Sequence, residues 1–285
     1  MNLSDRALLV QLSISTWTAT KLDKEISAET NARKGVKKNS GRYHKDLLPM
    51  CDLLEDINTK ASTIRNKFYE NTLPWGVKGT QILPTTNYLA FMTDFRKDRA
   101  EYETLVNRFI PEYPQLVIGA QQFLGEAYKA SDYPSGHEIA KKFRMDMAVF
   151  PVPTNDFRCE IASDELGRIR ADVERRVEDA GKQAMLEVWQ RLYDRVAKMS
   201  EKLNDPSSIF RDTLVENARE ICAILPRLNF MDDPNLETMR QEVEAKLTGF
   251  HPDTLRHDLD VRRQAATDAT DIINKMKAFM GDTAE

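Results

Sequence analysis

The sequence has few of the residues that mark secreted, disulfide-bonded or membrane-spanning proteins. Its three cysteines, Cys51, Cys159 and Cys222, are odd in number and far apart, so we expect reduced core thiols and no disulfides. No apolar run approaches the roughly 20 residues that a membrane span needs. The N-terminal stretch MNLSDRALLVQLSIS lacks the features of a secretory signal. These absences predict a soluble cytoplasmic protein without a membrane partner.

Motifs of catalysis and cofactor binding are also missing. The chain has no Gly-rich phosphate loop, no Gly-x-Ser-x-Gly and no His-Glu-x-x-His. Its cysteines lack the Cys-x-x-Cys spacing of zinc sites, and Asp253 with His257 has the spacing of a surface ion pair on a helix. We therefore expect a non-enzymatic protein with no catalytic residue, no cofactor and no metal. An enzyme whose cleft gathers distant residues is the last of our hypotheses.

Positive charge is concentrated in one stretch of an otherwise acidic chain. The net charge is −4, yet residues 31–45 hold six basic side chains and no Asp or Glu: Arg33, Lys34, Lys37, Lys38, Arg42 and Lys45. Trp17 and Tyr43 flank the stretch and could stack on unpaired bases. Three interpretations remain open: a contact to nucleic-acid phosphates, a docking site for an acidic partner, or a solvated loop that Gly35 and Gly41 break.

The N-terminal part of the chain mixes strand and helix patterns. Residues 8–18 alternate with period two, which predicts a strand, and TQILP and residues 144–161 predict further short strands. Helical spacing predicts helices over 46–71, 86–109, 115–128 and 136–143, with Pro111 and Pro114 separating the second from the third. Ser135 and Glu138 match a capping box.

Two Pro-containing stretches, PWGVKGTQILP at 74–84 and AVFPVPTNDFR at 148–158, have aromatic residues between Pro and Gly or next to Pro. They predict either rigid turns that pack Trp75, Phe150 and Phe157 onto the core, or a hinge or exposed recognition edge.

The C-terminal part predicts long helices. Apolar or small residues recur without a proline from Leu166 to Leu203. Their mean spacing is about 3.7 residues, which is near an eleven-residue repeat and indicates a helix that is straight or slightly right-handed in a bundle, and not a left-handed zipper. At 1.5 Å per residue it would reach roughly 60 Å. We expect it to assemble through Val173, Val177, Val188, Leu192 and Val196. Further helices are predicted at 208–228, 234–248 and 252–280.

The fold class that follows is mainly α. An N-terminal mixed α+β domain with a small sheet, residues 1–162, carries the basic stretch, and residues 163–285 form a long antiparallel helical bundle or coiled-coil domain.

Several landmarks resemble a phage and prophage family of uncharacterised proteins. They are the early strand ending in Trp17, LPWGVKGTQILP, LGEAYKASDYP and FPVPTNDFR, and their order covers roughly residues 8–162. The resemblance implies no assigned activity and no site residues. It implies a context, because such genes often lie near those for a MoxR-type AAA ATPase and a von Willebrand A-type protein, in a bacterial host cell.

Two functional hypotheses follow. The first is a non-enzymatic phage-encoded interaction or assembly protein, a homo-oligomer or an accessory to the AAA ATPase or the von Willebrand A-type partner, because so long a helix needs other helices to cover its apolar line. The second is a single-stranded nucleic-acid binding or annealing protein in phage replication or recombination, with residues 33–45 as the binding segment. The sequence does not fix the biological process, the copy number or the partner.

Overall fold

The computed structural model describes residues 3–37, 40–154, 163–205 and 207–282. The helices are α1 Lys24–Arg33, α2 Asp52–Asn71, α3 Thr85–Leu124, α4 Gly136–Ala140, α5 Ser163–Asn204, α6 Thr213–Leu228, α7 Pro234–Leu247, α8 Pro252–His257 and α9 Leu259–Asp282. The strands are β1 Ala7–Ser15, β2 Thr20–Asp23, β3 Tyr43–Asp46, β4 Leu73–Pro74, β5 Gln81–Pro84 and β6 Arg144–Pro151. One sheet has the order β4-β5-β1-β6, and β2 pairs with β3. The predicted fold class, mainly α with small sheets near the N-terminus, is confirmed.

The chain forms two compact units. The first unit comprises Met1–Gln11, Phe68–Phe91 and Ala148–Glu285, and the second unit comprises Leu12–Lys67 and Met92–Met147. These units differ from the predicted division at residue 162, because parts of the N-terminal region belong to the same hydrophobic core as the long C-terminal helices. The residues that join that core are Leu3, Ala7, Leu9, Leu73 and Ile82.

In the first unit, α5 packs against α6 and α9, and α7 packs against α6 and α9. The buried α5 side chains Val188, Leu192 and Val196 belong to one core with small and aliphatic residues of α9, among them Ala269 and Ile272. Each fully buried aliphatic side chain contributes about 1.5–3 kcal/mol to folding. The second half of α5 is therefore held by helices of the same chain.

The end of α5 receives its hydrogen-bond donors from α9. The Arg262 guanidinium donates to the carbonyl oxygens of Lys202, Leu203 and Asp205, and it lies over the Phe210 ring. Because the last carbonyls of a helix have no partner within it, this buried side chain replaces a capping residue.

In the second unit, α2 and α3 present aliphatic and aromatic side chains to one core, including Ile57 and Ile64 from α2 and Tyr102 and Phe109 from α3. Lys60 and Lys67 on α2 both form ion pairs with Asp98 on α3. Strand β1 continues into this unit, where the Tyr102 hydroxyl donates to the Ser15 carbonyl. The second unit is thus a small helical layer with the β2–β3 ribbon beside it.

The structure corrects the prediction that Pro111 and Pro114 end a helix, because α3 runs through both. A proline inside a helix removes a hydrogen bond and costs about 3 kcal/mol. The loss is offset on the buried side, where Phe109 and Tyr113 pack, the Tyr113 hydroxyl donates to the Pro134 carbonyl and its ring meets Trp17 edge-on.

Two C-terminal boundaries also differ from the predictions. The helix predicted at 252–280 is interrupted at Asp258, whose backbone is extended. The Asp258 Oδ1 caps the start of α9 by accepting from the Asp260 and Val261 N–H groups. Helix α6 begins at Thr213 instead of 208. The strand predicted around Phe157 to Ile161 lies outside the described residues. The capping box of Ser135 and Glu138 is confirmed.

Candidate interaction sites

A groove in the first unit lies along the first half of α5, and we name it the α5 groove. Its volume is about 680 Å³, and its apolar lining comes from Trp75 and Val77 between β4 and β5, from Pro153 after β6, and from Val173, Val177 and Ala180 on α5. Polar side chains in the lining are Arg176, Asp179 and Gln183 of α5. Both Pro-containing stretches singled out in the sequence therefore meet the long helix here.

The connection between β4 and β5 is shaped by two glycines. Gly76 and Gly79 have φ of +85° and +83°, a region that side chains rarely tolerate. The Thr80 N–H donates to the Val77 carbonyl over 3.0 Å, and the Gln11 amide donates to the Thr80 hydroxyl. This tight turn leaves the Val77 side chain 61% exposed at the groove. The recognition-edge interpretation therefore has a structural basis for Val77, whereas Trp75 packs partly against the core, as the rigid-turn interpretation predicts.

The five residues predicted for the assembly helix separate into two groups. Val188, Leu192 and Val196 are completely buried in the core of the first unit, so they are not available to another subunit. Val173 and Val177 are half-buried and line the α5 groove. Leu166 and Ile169 extend the same half-buried row toward the start of α5. Within this row, the apolar surface open to a partner thus lies in the first half of the helix.

The basic stretch is not one continuous loop. Helix α1 ends at Arg33, and Gly35 at φ +63° closes it with N–H donations from Gly35 and Val36 to the Ala32 and Asn31 carbonyls. This is the Schellman arrangement, which satisfies the last carbonyls of a helix. Strand β3 then takes up Tyr43 to Lys45. Arg33, Lys34, Lys37 and Arg42 are exposed, while Lys38 lies outside the described residues.

Side chains of α1 hold residues 41–43 against this helix. The Asn31 amide donates to the Gly41 carbonyl over 2.9 Å, and the Tyr43 N–H donates to the Ser27 hydroxyl over 2.9 Å. A Cβ at Gly41 would lie 2.4 Å from the Asn31 Oδ1, so a larger residue here would displace the Asn31 side chain that makes this contact. The contacts place Arg42 against the C-terminal half of α1, which carries Arg33.

Lys45 does not belong to the exposed set, which corrects its assignment as a partner contact. Its side chain is 2% exposed, its Nζ is 3.2 Å from Asp23 and 2.7 Å from Asp132, and it donates to the Ala127 carbonyl. Burial opposes its charge, but the hydrogen bonds to Asp132 and Asp23 raise the pKa of Lys45 overall. Lys45 therefore anchors β3 and cannot reach an external phosphate.

Trp17 and Tyr43, the two rings predicted to stack on bases, also differ in their exposure. The Trp17 ring is half-buried and packs edge-on against Tyr113 at 5.8 Å, and its carbonyl accepts from Asn58. We therefore withdraw Trp17 as a stacking platform. The Tyr43 side chain is 45% exposed and is the aromatic ring that remains available near Arg42.

Comparisons with family models, with curated proteins and with solved structures give no match for this chain. The phage-family resemblance therefore stays a prediction. In the described ranges, no three His, Cys, Asp or Glu side chains are grouped as a metal site requires. Across the same ranges, every helix is too short or too polar to cross a bilayer.

Proposed function

We propose that this chain is a non-enzymatic interaction protein that assembles through the α5 groove, with a second copy of the chain as the occupant. The observation that supports this proposal is the change along α5. One apolar row is covered by α6 and α9 in its second half and is half-exposed in its first half. A helix face of this pattern is usually completed by another helix.

A second copy fits because the groove and an apolar ridge lie next to each other on the same helix. The ridge is the row of Leu166 and Ile169, and the groove begins at Val173. In a two-fold contact each copy offers both surfaces, so the ridge of one copy can enter the groove of the other. We therefore propose a homo-oligomer in which α5 of one copy pairs over a short length with α5 of the other.

The experiment is light-scattering mass against protein concentration. The chain has a mass of 32.7 kDa, and we expect the doubled mass at concentrations above about 10 µM, which corresponds to roughly 7 kcal/mol of association. The double variant Val173→Lys, Val177→Lys should weaken the association at least about 100-fold, because two charged groups would have to be desolvated in an apolar contact.

The matched control is Ile209→Lys, Leu259→Lys, which changes two exposed apolar residues of the same unit outside the groove. It should leave the mass unchanged. A monomeric wild type at about 100 µM would reject self-assembly, since that Kd corresponds to only about 5.5 kcal/mol. Equal dissociation of both double variants would reject the groove as the contact.

The biological setting that we propose is a phage-encoded system in a bacterial host cell, in which the assembled protein is an accessory to a MoxR-type AAA ATPase or a von Willebrand A-type protein. This part of the proposal rests on the sequence resemblance alone. Copurification of the purified chain with a candidate ATPase, compared between the wild type and the Val173→Lys, Val177→Lys variant, tests whether the groove also serves that partner.

A further inference from the structure

The second unit has a group of exposed cations that take no part in the proposed assembly through α5. We propose that Arg33, Lys34, Lys37 and Arg42, together with the ring of Tyr43, form a binding site for single-stranded nucleic acid. We name these five residues the basic site. The proposal is independent of the α5 groove, which lies in the first unit.

The folded chain converts a linear run of charges into a fixed surface. The Schellman end of α1 sets Arg33 and Lys34, the Ser40 N–H donates to the Lys37 carbonyl, and the Asn31–Gly41 hydrogen bond holds the chain against α1. Because both ends are anchored, binding would not have to order a free loop of this length.

Within the part of the chain that the structure describes, the four cations form no ion pairs. Among the described residues, no carboxylate oxygen lies within ion-pair distance of any of them, whereas Lys45 is paired twice. In sequence, the acidic side chains nearest to the site are Glu29, one turn before Arg33 on α1, and Asp46, three residues after Tyr43. Free exposed cations are the groups that exchange their counterions for phosphates.

Helix α1 accounts for only part of this charge. Arg33 and Lys34 stand at the C-terminal end of α1, where cations offset the helix dipole and need no ligand. Lys37 and Arg42 lie beyond that end and gain little from it.

The net charges of the two units support a nucleic-acid site in the second unit. The second unit contains 19 Lys and Arg against 16 Asp and Glu, whereas the rest of the chain contains 22 against 29. The basic site thus lies on the positive part of a negative protein, which lowers the repulsion that a polyanion would meet.

The Tyr43 ring favours single-stranded nucleic acid over an acidic protein. It is exposed in β3 beside Arg42, and an exposed ring can stack on an unpaired base, which contributes to affinity without sequence preference. An acidic peptide offers carboxylates for the cations and has no flat group that requires the ring.

The experiment is fluorescence anisotropy of a labelled oligo(dT) with the full chain at several salt concentrations. Four phosphate contacts predict a slope of about −2.8 for log K against log salt, or an affinity loss of about 50-fold between 50 and 200 mM salt. The variant Arg33→Glu, Lys34→Glu, Lys37→Glu, Arg42→Glu should lose binding more than about 100-fold at 50 mM salt. Tyr43→Ala should lose about tenfold with the slope unchanged, and Tyr43→Phe should retain binding.

The matched control reverses four exposed cations elsewhere in the second unit: Arg96, Lys97, Arg108 and Lys141. It should bind within about threefold of the wild type, and circular dichroism should show both variants folded. Equal losses in the two quadruple variants would overturn the proposal in favour of a diffuse electrostatic effect. Equal binding of polyglutamate with no effect of Tyr43→Ala would assign the site to acidic proteins, and absence of binding at 50 mM salt would overturn it directly.

Discussion

The two halves of α5 carry the same apolar spacing in different surroundings. From Ala184 onward the row is buried among α6, α7 and α9, and the end of the helix is capped by Arg262. Before Gly181 the corresponding residues are half-exposed, and Val173, Val177 and Ala180 among them line the groove. The apolar repeat therefore identifies which face of a helix is apolar, but the rest of the chain decides whether that face is core or contact surface.

The largest expected effect is on the buried half of α5. Leu192→Ala should lower the free energy of unfolding by about 4 kcal/mol, because Leu192 is fully buried and its loss leaves a cavity. Val173→Ala should cost less than about 1 kcal/mol, since it removes less surface from a half-exposed site. Urea denaturation of both variants measures the difference. Similar losses for the two would contradict the contrast between the halves.

A second prediction extends the contrast to the basic stretch. Lys45→Met should destabilise the protein by about 3 kcal/mol, because it leaves the Asp23 and Asp132 carboxylates without their buried partner. Lys37→Met, at an exposed position, should stay within about 0.5 kcal/mol of the wild type. Thermal and urea unfolding measure both. A neutral Lys45→Met would mean that this lysine is not the anchor of β3.

A third prediction concerns the pH dependence of the buried bundle. Hydrogen bonds from Lys246 and then Lys275 lower the pKa of Glu242, which joins α7 to α9. Because the pKa of Glu242 is lower in the folded state than the value of about 4.3 in the unfolded state, ionised Glu242 stabilises the fold at higher pH. This contribution is lost as the pH falls from about 5 toward 3.

Glu242→Gln should therefore be less stable than the wild type by about 1 kcal/mol at pH 7, and the two should converge near pH 3. Urea unfolding at both pH values measures this. A difference that stays constant from pH 7 to pH 3 would show that ionisation of Glu242 is not the cause. The effect is smaller than the first two because the cluster is partly solvated.

The sequence predicts the elements of this protein better than their surroundings. Periodicity locates β1, α2 and α5, and capping chemistry locates the box of Ser135 and Glu138, because both signals depend on residues that are neighbours in sequence. It misses the continuity of α3 through Pro111 and Pro114, since the aromatic packing that outweighs the lost hydrogen bonds comes from distant segments.

The candidate sites show the same limit. Lys45 and Arg42 are equivalent in a count of charges, yet Asp23 and Asp132 remove the first from the surface, and the sequence gives no sign of that pairing. The α5 groove joins three separate segments of the chain, around Trp75, at Pro153 and in α5. Each segment is unusual on its own, but only the fold brings them together.

Hydrogen exchange along α5 at low and high protein concentration tests the central claim most directly. We expect amides after Ala184 to be protected equally at both concentrations, because their cover belongs to the same chain. Amides from Leu166 to Ala180 should exchange faster at low concentration and become protected at high concentration, when a second copy covers them. Protection in the first half that is independent of concentration would contradict assembly through the α5 groove.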